Sequence, residues 1–268
     1  MKTRIISACI MLPLLILVYL GSYWLMAACM IVSFIGVREF YKGYEAVGTR
    51  PAYALAYTLI ILLYGAEILM PGDMRVMLLW MVIAVMGSMI YGFNVEGRKL
   101  EDMSATLLGI MYCVFFPFHI VLIDRSEYSI LIWLVFLAAF GTDIMAYFVG
   151  MAIGKHKLCP KLSPKKSKEG AAGGVLGSVL FCGLFAYFVA SDMLMECMII
   201  SVVGSVVAQC GDLAASAFKR QMGIKDYGNL IPGHGGILDR FDSVFFTAPM
   251  IYYCILFVNE GAAVPLLG

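Results

Sequence analysis

The sequence predicts an all-α, polytopic membrane protein of about nine transmembrane helices with two charged cytoplasmic loops. Three observations predict it. The apolar fraction is 62% and the mean hydropathy +0.91, where soluble globular chains run at about 45–50% apolar. Only 14% of residues are charged. Apolar runs of about 17–25 residues, long enough to cross a bilayer, recur from end to end and leave no sizeable soluble domain.

The runs fall at 4–20, 22–40, 52–70, 75–93, 104–123, 128–150, 172–190, 194–218 and 243–260. The first two are tightly spaced, so a count of eight also fits. Lys2, Arg4 and the box Met26-Ala27-Ala28-Cys29 imitate a lipoprotein signal. The apolar stretch continues to Val37, however, far beyond a signal core of about 7–15 residues, and two spans joined at Gly21-Ser22 are expected instead. Sorting basic residues by side supports this register. With the N-terminus inside, every lysine and arginine except Arg75 and Arg125 falls on the inner side. A net charge of +1 therefore says nothing about partners, and no nucleic-acid partner is expected. The eight cysteines form no CxxC pair and mostly lie in apolar runs, as small buried hydrophobes do. His119 reads as an interfacial residue near the outer face, and Glu67 as a side chain able to snorkel.

Four constellations carry chemistry. In the loop 151–171, six lysines lie within fourteen residues, from Lys155 to Lys168. They would attract anionic headgroups by about 1 kcal/mol each. Ser163-Pro164 fixes a turn there, and Glu169-Gly170 leads into Gly173, Gly174 and Gly177. Those glycines suit phosphate at a helix N-terminus, or close helix packing, or both. Asp143 lies within an apolar span, where an unpaired carboxylate is costly, so it should face a polar cavity. Tyr147, Gly150 and Gly154 follow on the same stripe. On the eighth span Ser205, Gln209, Asp212, Ser216 and Lys219 make one polar face, the wall of a water-accessible pocket. Gly204, Ala208, Gly211 and Ala215 beside it permit close neighbours.

The most informative stretch is 216–242, SAFKRQMGIKDYGNLIPGHGGILDRFD. Basic, acidic and glycine residues this dense beside membrane spans suit a phosphate compound carried with a metal ion. Gly233, Gly235 and Gly236 around His234 leave backbone N–H groups open to a charged ligand, and Asp239, Arg240 and Asp242 sit just before the last span. His234 reads equally as a hydrogen-bonding loop residue or a catalyst. No GxxxxGK[ST] or GxGxxG is present, so no conventional nucleotide fold is expected.

On these residues the chain resembles the phosphatidate cytidylyltransferases, or CDP-diacylglycerol synthases. Ser216, Lys219, Arg220, Lys225, Asp226, Gly228, Pro232, His234, Gly235, Gly236, Asp239, Arg240 and Asp242 match that family's signature without a gap. Thr142-Asp143, Ser163 to Lys166, Glu169-Gly170 and Gly211-Asp212 match its upstream features. The resemblance spans residues 141–242, dividing the chain into N-terminal helices without motifs (1–140) and a catalytic membrane region (141–268). It implies CTP and phosphatidate as substrates, CDP-diacylglycerol and pyrophosphate as products, Mg²⁺ as cofactor with room for a second cation, and a homodimer in a bacterial inner membrane with the active site facing the cytoplasm. Asp212 and Asp239 are expected to hold metal, with Asp143 as a third carboxylate. Lys219, Arg220, Lys225 and Arg240 would grip phosphates. Ser163, Lys165, Lys166 and Glu169 would line the nucleotide or lipid-phosphate side, with Ser216, Asp226, His234, Gly235, Gly236 and Asp242 completing the substrate site. An ion-coupled transporter would show internal repeats and midplane charge, and the chain shows neither. The nearer alternative is a related CTP-using enzyme, either a polyprenol kinase that transfers the terminal phosphate or an enzyme with another lipid acceptor, and whether pyrophosphate or CDP is released separates these.

Overall fold

The computed structural model describes residues 15–230 and 235–259. They fall into two compact units, drawn from residues 1–127 with 218–241 and from residues 128–217 with 242–268.

In the first unit a helical stretch at 15–20 breaks at Gly21 and Ser22, whose φ angles are +58° and +51°. The joint predicted at this dipeptide is therefore present, and the backbone N–H of Ser22 donates to Asp124 at 2.7 Å. The run predicted at 4–20 lies mostly outside the described residues. After the joint come α1 (Ser22–Glu45), α2 (Tyr53–Leu69), α3 (Met74–Ile90) and α4 (Leu100–Arg125). Within α4 the ladder widens to a π-turn over Met111–Phe115. Pro117, two residues past its end, brings no N–H to bond the carbonyl four residues back. Asp102, at the start of α4, accepts from Arg50 N at 2.6 Å and Lys99 N at 2.9 Å, while Thr106 Oγ1 accepts from Ala52 N at 2.9 Å. These bonds tie the α1–α2 connection to α4. Phe40 packs edge-on against Tyr112 and Phe218, at centroid distances of 5.5 and 5.3 Å.

Two polar residues of this unit depart from expectation. His119 is fully buried rather than interfacial: its Nδ1 bonds the Phe115 carbonyl at 2.9 Å and its ring stands edge-on to Phe115. Glu67 is buried instead of snorkelling, because the turn at Gly72 offers it an N–H at 3.2 Å. A local donor removes the need to reach for water.

The second unit holds α5 (Ile132–Ile153), the hairpin β1 (Lys157–Cys159) and β2 (Ser163–Ser167), and α6 (Lys168–Val189). Two further helices, α7 (Leu194–Gln221) and α8 (Leu238–Asn259), contribute residues to both units. The antiparallel hairpin, with Lys157 opposite Ser167 and Cys159 opposite Ser163, is the one element the apolar pattern does not foretell. The glycines of α6 serve close packing on α5. A Cβ on Gly173 would strike Val149, one on Gly177 would strike Met145, and one on Gly170 would lie 2.7 Å from the Ala146 carbonyl. Close approach through small residues is how helices associate where lipid offers no hydrophobic drive.

Among the described residues, seven helices are long and apolar enough to cross a membrane, and the 17-residue α2 adds an eighth, shorter apolar helix. All eight coincide with predicted runs. The protein is an all-α, polytopic membrane protein. The described cysteines are all free, and Cys29, Cys113, Cys182 and Cys197 are buried as expected.

Candidate active site

The polar face predicted on α7 is built into the second unit. Ser205 accepts from Thr142 Oγ1 at 2.7 Å, and Gln209 Nε2 donates to the Ala171 carbonyl at 3.3 Å. One turn further along, Asp212 forms an ion pair with Lys166 and receives a long bond from Ser216 Oγ at 3.5 Å. The small residues beside the stripe allow this approach. A Cβ on Gly211 would lie 2.7 Å from the Asp242 carbonyl.

A cavity of about 340 Å³ opens at this point. Asp143 and Asp212 contribute its carboxylates, Lys165 and Lys166 from β2 its cations, and Tyr147, Met151 and Leu158 an apolar wall. Gln209, Ser167 and Gly170 also line it. Asp143 is exposed on α5 and its Oδ2 accepts from Ser243 Oγ at 3.3 Å. The polar cavity predicted for this aspartate is therefore there, and so is the wall predicted on α7. Two lysines facing two carboxylates, half open to the outside, can bind an anion together with a cation. The donor set fits a hard divalent ion. The anionic groups lining the cavity are both carboxylates, with no thiol or imidazole in the lining. Among the described residues no group of three or more His, Cys, Asp or Glu side chains is placed to hold a metal. Two carboxylates are few, which suits Mg²⁺, an ion that keeps several of its waters.

The hairpin that delivers Lys165 and Lys166 is fastened at its base. Glu169 accepts from the backbone N–H groups of Lys155 and His156, both at 3.2 Å, and bonds the His156 ring at 2.5 Å. Ser167 caps α6 by accepting from Gly170 N at 3.1 Å. Glu169 thus holds the strand pair and lies outside the lining. Ser163 is half-buried at the start of β2, also outside the lining.

The second cluster belongs to the first unit. Asp239 lies in the first turn of α8, which begins five residues before the run predicted from hydropathy, so Asp239, Arg240 and Asp242 are helical rather than in the preceding loop. The Asp239 side chain is 3% exposed. Its Oδ1 receives Lys219 Nζ at 2.8 Å, and its Oδ2 accepts from Tyr227 N at 2.8 Å and Gly236 N at 2.9 Å. Gly235, at φ +85°, allows this turn: a Cβ there would lie 2.7 Å from Asp239 Oδ2. Lys219 also sits over the Tyr227 ring at 5.4 Å. Arg220, Lys225 and Asp226 are exposed around the cluster, and His234 lies outside the described residues. In this arrangement the N–H of Gly236, expected to face a ligand, is engaged by Asp239.

Sequence reasoning missed Glu39. It is 7% exposed on α1 and accepts from Ile237 N at 3.1 Å and Leu238 N at 2.9 Å. The signal was available, since an acidic residue beside an apolar run raises the same question as Asp143. It stands one residue from the end of the run predicted at 22–40.

A sequence model of the Cytidylyltransferase family matches residues 2–258. A phosphatidate cytidylyltransferase of Staphylococcus haemolyticus is 31% identical over 254 residues, covering 93% of this chain and 95% of the relative. One from Synechocystis is 31% identical over 285 residues, covering 94% and 96%. One from Staphylococcus aureus is 35% identical over 150 residues, covering 56% and 55%.

Proposed function

Because this chain belongs to the cytidylyltransferase family, we propose that it makes CDP-diacylglycerol and pyrophosphate from CTP and phosphatidate. The observation that carries the reading is the cavity itself, where Lys165 and Lys166 meet Asp143 and Asp212 beside an apolar wall. A charged headgroup and a triphosphate suit its polar side, and a lipid tail suits Tyr147, Met151 and Leu158.

The attacking group is a phosphate monoester, largely dianionic at neutral pH because its second pKa is about 6. It needs no strong general base. A phosphatidate oxygen forms a bond to the α-phosphorus of CTP while the bond from that phosphorus to the bridging oxygen breaks, and the electron pair leaves with pyrophosphate. The obstacle is repulsion between two anions, so the protein contributes position and positive charge. Lys165 and Lys166 are placed to bind phosphate within the cavity, with Lys166 drawn from Asp212 by a stronger anionic partner. Lys219, Arg220, Lys225 and Arg240 are further cations that would grip phosphate. Asp143 and Asp212 would hold Mg²⁺, and the ion would neutralise phosphate oxygens and the departing pyrophosphate.

The sorting of basic residues supports nine spans with the N-terminus and both charged loops in the cytoplasm, and the bacterial relatives support a bacterial inner membrane. CTP would then arrive from the cytosol and phosphatidate from the bilayer. Residues 141–268 would form the catalytic region, acting within a homodimer. The deciding experiment supplies purified protein with CTP, phosphatidate and Mg²⁺ and follows both products. Pyrophosphate with CDP-diacylglycerol is expected, and chelation of Mg²⁺ should stop it. Release of CDP instead would identify terminal phosphate transfer and overturn the proposal.

A further inference from the structure

We infer that Glu39, in the N-terminal region that carries no family motif, is a positioning residue that fixes the Gly236–Leu238 backbone and the start of α8. The inference rests on the cytidylyltransferase reading for its consequence and on geometry for its content. Each oxygen of the Glu39 carboxylate takes one backbone N–H, from Ile237 and from Leu238. These are among the first N–H groups of α8, which have no partner within the helix, and a carboxylate here also favours the helix dipole. Gly228 and Gly236 close around it. A Cβ on Gly228 would lie 2.5 Å from Glu39 Oε1, and one on Gly236 would strike both carboxylate oxygens. Those two glycines are therefore required by a glutamate some two hundred positions away in the chain.

The two carboxylates hold adjacent N–H groups from two sides. Asp239 takes Gly236 N, and Glu39 takes the next two. Backbone donors of Gly236, Ile237 and Leu238 are thus all engaged by side chains, and the direction of the Asp239 and Arg240 side chains follows. Behind Glu39, α1 is fitted to the same segment: a Cβ on Gly36 would lie 3.2 Å from the Leu238 side chain. Residues of α1 thereby control where the signature's charged side chains point, which gives the motif-free half a role in the chemistry.

The test compares wild type, Glu39→Gln and Glu39→Ala as purified full-length protein in detergent. Hydrogen exchange at the peptide covering Ile237 and Leu238 reads the bonds directly and needs no turnover. Exchange should quicken at least tenfold in Glu39→Ala and less in Glu39→Gln, which keeps one acceptor. In the same order, kcat/KM should fall by about tenfold to a hundredfold, as a displaced catalytic frame does. A mere loss of folded protein lowers kcat at unchanged KM, whereas a displaced segment raises KM for CTP or phosphatidate. Unchanged exchange in Glu39→Ala, or kinetic loss confined to kcat, would overturn the positioning role. Absence of CDP-diacylglycerol synthesis by the wild type would instead sink the reaction assigned above, leaving the exchange result to decide the role of Glu39.

Discussion

Asp212 and Asp239 carry the same group and stand in opposite circumstances. Asp212 has a side chain 27% exposed, on the wall of a cavity, facing Lys166 and receiving a long bond from Ser216 Oγ. Asp239 is 3% exposed and has three protein donors, two of them backbone N–H groups. A half-open pair is worth little to stability because solvent screens it and the lysine must be ordered to make it. A buried carboxylate with fixed donors is different: removing its charge strands Lys219 and leaves N–H groups unsatisfied. The difference separates an aspartate placed where a ligand could reach it from one that its protein partners hold in place.

The largest effect that can break this comparison comes from Asp239→Asn. Turnover should fall to about one hundredth of wild type or lower. The detergent-solubilised protein should also lose about 3–5 kcal/mol of stability, since one member of a buried pair is gone. Radiolabelled CTP incorporation into lipid measures the first and a thermal or denaturant melt the second. Near-normal synthesis by this variant would refute any essential role for Asp239. Asp212→Asn comes next. Its activity should drop comparably, by about a hundredfold, while stability changes by about 1 kcal/mol at most. If both variants melted alike, the division between ligand-facing and shape-holding carboxylates would be lost.

The hydropathy pattern is a strong guide to α1 through α8 because a bilayer imposes a length on every apolar run. It is a weak guide to their ends. α8 starts at Leu238 because Glu39 caps its N-terminus from another part of the chain, and no window of local hydropathy contains that glutamate. The α7 stripe was legible in full, since helical spacing alone puts Ser205, Gln209 and Asp212 on one face. The β-hairpin was not. Its residues are mostly lysine, serine and proline, poor strand formers, and Glu169 holds the base through two backbone N–H groups and His156. His119 and Glu67 were misplaced for the same reason in reverse. Each bonds a nearby backbone group in the interior.

A smaller change sharpens the cavity side. In Lys166→Ala the half-exposed amine is lost without burying an unpaired group, so folding should be unaffected. Binding of phosphate should weaken by about tenfold, the scale of one charge-assisted bond. Steady-state kinetics should show this as a raised KM for one substrate with kcat reduced less, and the substrate affected assigns the lysine to CTP or to phosphatidate. Equal loss in Lys166→Ala and Asp212→Asn would mean that their ion pair, rather than its separate members, is what catalysis uses.

The smallest expected effect belongs to His156→Ala. His156 is exposed, and its ring provides one of the contacts that fasten Glu169 to the hairpin base. The two backbone N–H donors to Glu169 remain in the variant. Loss of the ring should therefore loosen the strands without freeing them, and kcat/KM should fall only about twofold to fivefold, from less ordered Lys165 and Lys166. Glu169→Ala removes all of those bonds at once and should cost more. If His156→Ala were the more damaging of the two, the imidazole would be meeting substrate itself. The cavity would then extend past β2 to the exposed loop, and the phosphate-binding cations would have to be counted from Lys155 rather than from Lys165.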